Sequence, residues 1–278
     1  MSDWLTQTNY SMMVIQVIVT LVLVPILSYR LLLSAANNYG TSRFPNASEE
    51  VKLWLKRASR QYWSVVAITL LLAGGIVLHA ILNNSELLYW DDQSGLMVIY
   101  LIAMIPVIVM VLLHKALFGV FKKHAGNKRS AFLKVRTWQE YISKPLVALV
   151  MSANIVFVAT VSYFTQQPFD GFAGFYNLIG LLVINLIFLA IIFAVYRDNK
   201  TNALQQPEQR NALKKRSINV NLLILALALF HLSLSMWIHG SDLVTYKVLV
   251  QSVYFQVILV ISAFSLTLPK SMFLVERK

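Results

Sequence analysis

The sequence has no cysteine. Disulfides, thiolate metal sites and cysteine nucleophiles are thereby excluded, and residue usage says nothing of the redox compartment. Charge is scarce as well, at 13% of residues against about 25% in a soluble domain. What charge there is leans one way, with 24 Lys and Arg against 12 Asp and Glu and a formal net charge of +12. The most telling gap is local: none of the long apolar runs holds an Asp or Glu in its interior. A carrier coupled to protons or sodium usually places a carboxylate at membrane depth, because a titrating or cation-binding group must lie along the path. The gap argues against such carriers and excludes intramembrane aspartyl chemistry. It leaves room for a facilitative pore lined by hydroxyls and amides.

What fills the chain instead is apolar: 58% of residues, where a soluble domain has roughly 45–50%. Several separate runs exceed the roughly 18 apolar residues that mark a bilayer-spanning helix. The pattern predicts an all-α, polytopic membrane protein with seven transmembrane helices. They fall at Tyr10–Leu33, Trp63–Leu82, Gly95–Leu117, Pro145–Phe164, Phe172–Val195, Val220–Ile238 and Val248–Leu268. Together they form one integral membrane domain over residues 1–278. Length decides for helices, since a barrel strand needs only about ten residues of alternating pattern and these runs are continuous. Met1–Met13 carries Asp3 and no Lys or Arg, and the apolar run behind it is too long for a signal core, so the first span is expected to be retained.

The basic residues set the orientation. Of the 24, all but Lys247 fall between or at the ends of spans on one side, while Asp3, Glu86, Asp91, Asp92, Asp170 and Asp242 fall on the other. Loops rich in Lys and Arg stay on the cytoplasmic side, which places the N-terminus outside and the C-terminus inside. The expected setting is a plasma membrane or a bacterial inner membrane. The loop between spans three and four is the most basic, with Lys122, Lys123, Lys128, Arg129, Lys134, Arg136 and Lys144 against Glu140 alone. Topology and anionic headgroups explain these charges, so nucleic acid is not an expected partner. The endings Tyr29-Arg30, His114-Lys115 and Tyr196-Arg197 hint at three helical hairpins and a seventh helix, although interfacial anchoring alone would produce them.

The inner loops carry helical periodicity of their own. Ser48 precedes Glu49 and Glu50, and Val51, Trp54, Leu55, Ala58 and Tyr62 recur at helical spacing, with Lys56, Arg57 and Arg60 on the other faces. The reading is an amphipathic helix on the inner leaflet, Trp54 at headgroup depth, that then turns up into span two. Ser130–Ile142 repeats the theme with Ala131, Val135, Trp138 and Ile142. Trp54, Trp138 and the surrounding bases are therefore expected to hold anionic lipid or a protein partner, a second copy included.

Within the spans, Ala73-Gly74-Gly75 and Gly171, Gly174 and Gly180 are expected at close helix contacts. Pro25 and Pro106 should kink spans one and three and release backbone carbonyls. Polar residues gather on the last helices. His231, Ser235 and His239 stand at i, i+4 and i+8 on one stripe. Gln251 and Tyr254 follow on span seven, with Asn154 on span four and Asn177 and Asn185 on span five. Such groups either bond neighbouring helices, at around 0.6 kcal/mol each, or line a solute path. His79 with His231 or His239 could present opposed imidazoles to a haem, yet there is no ligand pair at metal-binding spacing. No metal or cofactor is predicted. A retinal pump would need a mid-membrane lysine on the last helix, whereas Lys247 and Lys270 sit at its ends.

No residue is predicted to be catalytic. The reading is a non-catalytic seven-helix module, a sensor or an assembly subunit of a larger membrane complex, with a basic cytoplasmic face. A channel for a neutral or anionic solute through spans four to seven is the alternative, and a small haem-binding redox subunit a third.

Overall fold

The structure, a computed structural model, describes residues 11–12, 14–37, 47–82, 94–124, 137–197, 207–241 and 243–265. Among them every regular element is a helix. In chain order these are α1 (Val24–Ala35), α2 (Ser48–Leu82), α3 (Ser94–His124), α4 (Lys144–Gln166), α5 (Tyr176–Arg197), α6 (Pro207–Gly240) and α7 (Lys247–Ser265). Six stretches are long and apolar enough to cross a membrane: Val14–Ala35, Ser48–His79, Val98–Phe121, Lys144–Gln166, Tyr176–Arg197 and Asn211–Gly240. The apolar part of α7, Leu249–Ala263, is shorter; at 1.5 Å per residue it reaches about 22 Å, against the ~30 Å of a hydrocarbon core. The described residues are thus all-helical in their regular structure, with six helices among them compatible with a multi-pass membrane protein.

The described residues form two compact units. One comprises the first three helices and α7 from Gln251 onward; the other comprises α4, α5, α6 and the chain up to Val250.

In the first unit, the approach to α1 widens into a π-turn over Val19–Leu23, closed by the Val24 N–H on the Val19 carbonyl. Pro25 stands inside the continuous helical run Val14–Ala35, directly behind the π-turn, and has no N–H to offer the preceding turn; the Tyr62 hydroxyl donates to its carbonyl at 3.3 Å. Two apolar clusters hold the unit. Leu32, Ala35 and Ala36 meet Val51, Tyr62 and Val66 of α2 and Leu117, Val120 and Phe121 of α3. Leu21 and Val24 meet Ala73, Ala103, Val107, Leu259 and Ala263. Polar groups are buried too: Gln16 and Ser252 are wholly inaccessible, and the Ser252 hydroxyl donates to Gln16 Oε1 at 2.7 Å.

The expected surface helix ahead of span two is not a separate element. Residues 48–82 form one uninterrupted helix of 35 residues, because no glycine or proline breaks the ladder before Gly74. Its apolar face packs on protein: Val51, Ala58 and Tyr62 are buried, and Trp54 and Leu55 lie half-buried against the same cluster. Trp54 therefore braces the unit, and Lys56, Arg57 and Arg60 remain exposed.

In the second unit α6 packs along α4 and α5. Ala153, Leu225, Ala226 and Leu229 form its centre, with Leu181, Ile184 and Phe188 around them. The most apolar helix, α5, has a mean hydropathy of 3.1 over its best window and buries only Ile192 fully; its exposed apolar side chains, such as Leu182, Leu186 and Leu189, are suited to lipid. At the end holding Arg197, Trp138 stacks on Tyr196 with ring centroids 3.9 Å apart. Lys214 Nζ donates to the Tyr196 carbonyl at 2.8 Å, and the Tyr141 hydroxyl donates to Asn211 Oδ1 at 3.0 Å. The second amphipathic helix expected over Ser130–Ile142 is not formed in its described part. Thr137 is extended and Trp138–Glu140 is a single 3-10 turn, ahead of α4 with Pro145 in its first turn. Lys128, Arg129, Lys134 and Arg136 lie outside the described residues, as do Ala131 and Val135. Lys122 lies in α3.

The small residues divide. Ala73 packs between helices, but a Cβ at Gly74, Gly75 or Gly180 would meet nothing within 4 Å. Gly171 and Gly174 serve turns, at φ of 81° and 60°. The tight contact is Gly240 at the end of α6, where a Cβ would run into the Phe164 ring.

Candidate functional site

The turn between α4 and α5 folds back over the last turns of α6. Phe164 is the hub: it meets Phe169 edge-on at 5.1 Å and Trp237 at 5.1 Å, and the Gly240 contact lets α6 approach it. The turn then runs through Phe169, Asp170 and the two left-handed glycines before α5 begins at Tyr176. On α5, the Asn177 amide donates to the Gly174 carbonyl at 2.9 Å and ties the helix start to the turn.

Two cavities open between this turn, α5 and α6. One, of about 310 Å³, is lined among others by Phe169, Asp170, Phe172 and His239. The other, of about 360 Å³, is lined among others by Phe157, Gly180, Leu181, Ile184 and Leu232. Ala173, Asn177, Ser235 and Met236 line both. They are two compartments of one cleft, polar at the turn and apolar deeper between the helices. His239 Nδ1–H donates to the Ser235 carbonyl at 2.7 Å, so in the neutral ring Nε2 is the acceptor. The ring stacks on Phe169 with centroids 6.1 Å apart.

Of the expected pore-lining residues, the structure brings Ser235 and His239 together on this cleft. His231 is half-buried on α6, two turns from His239, and lines neither compartment. Asn154 and Asn185 meet each other: Asn185 Nδ2 donates to Asn154 Oδ1 and to the Leu181 carbonyl, both at 2.9 Å. Asn154 Nδ2 in turn donates to the Val150 carbonyl at 2.8 Å. Gln251 and Tyr254 belong to the first unit; there Gln251 is buried and Tyr254 touches Phe255 at 5.6 Å. His79 is exposed on α2, also in the first unit. No group of three His, Asp or Glu able to hold a metal occurs among the described residues, and Asp242 lies outside them.

Sequence reasoning missed Asp170, Phe169, Phe172 and Gly180 as parts of a site. Only the i, i+3 spacing of Asn177 and Gly180 signals it, since that places an amide and a gap on one helix face. Compared with known proteins, the chain matches no family model, and no curated protein or solved structure resembles it at a significant level.

Proposed function

We propose that this chain is a non-catalytic seven-helix module of a plasma or bacterial inner membrane, working as a sensor within a larger assembly. In this reading α7 is the seventh crossing, the N-terminus lies outside, and the α4–α5 turn with its cleft faces outward. The basic loops then hold anionic lipid or a partner on the cytoplasmic side.

The observation that carries the reading is how the polar side chains of the second unit divide. Those between the helices are engaged: Asn154 with Asn185 across two helices, and buried Ser233 with the Leu229 carbonyl of its own helix. The Asn154–Asn185 bond is the interhelical kind that uncharged polar residues ordinarily supply in a membrane bundle. The polar groups around a cavity sit instead at one end, with apolar walls beneath. That suits reception of a ligand better than its passage. Exposed Lys56, Arg57, Arg60 and Lys123 supply the surface for the basic side.

Gentle detergent extraction followed by native mass measurement tests the assembly, with liposome flux as the second arm. The reading expects a complex heavier than one chain and no flux of neutral or anionic solutes. A lone, monomeric chain that carries a solute, with flux lost in His231→Leu, would establish the channel instead.

A further inference from the structure

We propose that the cleft of the second unit takes an amphiphile with an alkylammonium head, the head beside Asp170 and the tail between α5 and α6. This rests on the cleft being a ligand site, as proposed above.

The head compartment has the chemistry of an organic-cation site. Asp170 is the one carboxylate among its lining residues, and it stands between Phe169 and Phe172 in sequence. Those two rings lie 5.2 Å apart, tilted by 41°, and the His239 imidazole stacks on Phe169 at 21°. Asp170 is exposed on the turn, so an ammonium head can reach its carboxylate, and the aromatic rings lining the same compartment add attraction through their quadrupoles. An anionic head would meet the carboxylate instead.

The tail compartment is continuous with the head compartment through Ala173, Asn177, Ser235 and Met236. Beyond them its walls are Phe157, Leu181, Ile184 and Leu232. Gly180 borders open space in it, since a Cβ built there meets nothing within 4 Å. The same space makes Gly180→Leu a plug that the helix tolerates, because leucine is a better helix former than glycine.

The test uses the full chain in phosphatidylcholine nanodiscs, titrated with radiolabelled decyltrimethylammonium and, in parallel, with radiolabelled octyl glucoside, empty discs being subtracted. The proposal expects saturable binding of the ammonium alone, at least tenfold weaker in Asp170→Asn and lost in Gly180→Leu. Gly180→Ala, which adds one methyl group, is expected to weaken it less. Binding of both amphiphiles alike, or binding indifferent to Asp170→Asn, overturns the cationic head and leaves the cleft as a ligand site. Saturation by neither overturns the proposal and the cleft reading together. Because the phosphatidylcholine is in vast excess, saturable binding of the free amphiphile also rules out a zwitterionic lipid head as the preferred occupant.

Discussion

Asn185 and Asn154 reach across from α5 to α4 and share a hydrogen bond of 2.9 Å. Each also bonds a backbone carbonyl of its own helix, so the bridge is held at both ends. In a bundle whose apolar faces resemble lipid, such a bond is one of the few contacts that specifies how two helices meet.

The first prediction concerns that pair. Asn154→Leu and Asn185→Leu should each cost around 0.6 kcal/mol, within a ceiling of about 1.7. The double variant should cost less than the two singles together, because the second change removes a bond already lost. Unfolding of the four proteins by denaturing detergent measures this. Additive losses would mean that the two amides do not cooperate.

At Gly240 the prediction is steric. Any side chain there must displace Phe164, and overpacking of this kind costs about 1–3 kcal/mol. Gly240→Ala should therefore lower thermal stability. Gly74→Ala, with open space around it, should leave stability unchanged or raise it by up to ~1 kcal/mol. Reversal of that order would contradict the packing described at the end of α6.

How much of this was legible in the residues can be judged from the same positions. The apolar helices were, because length and the absence of charge are read directly from the chain. Of the stripe His231, Ser235 and His239, only the last two line one cleft. The glycines were not sorted. Composition marks Gly74, Gly75 and Gly180 as close-packing sites, while the tight contact belongs to Gly240, and only the approach of Phe164 from another helix tells them apart. The face of Val51, Ala58 and Tyr62 was visible as apolar, but the pattern does not say whether lipid or protein covers it; here Leu32 and Phe121 do. Asp170 joins the cleft only because the α4–α5 turn folds over α6, a long-range event with no local signature.

Lys214 supplies another test. The residue is almost wholly buried, at 7% exposure, and its ammonium donates to the carbonyl of Tyr196 in the last turn of α5. A cation there also favours the negative end of the helix dipole. Lys214→Met should cost about 1.5–3 kcal/mol, the usual worth of a hydrogen bond to a charged group. Thermal unfolding checks it, and an unchanged midpoint would show that the carbonyl finds another donor.

The central claim is orientation: basic residues beneath the bilayer, the cleft of the second unit outside. The chain has no cysteine, so single-cysteine variants report without background. Gln167→Cys, in the α4–α5 turn, and Lys123→Cys, exposed near the end of α3, are to be treated in intact cells with a membrane-impermeant maleimide. The account predicts labelling of Gln167→Cys in intact cells and of Lys123→Cys only after permeabilisation; the opposite pattern would contradict it.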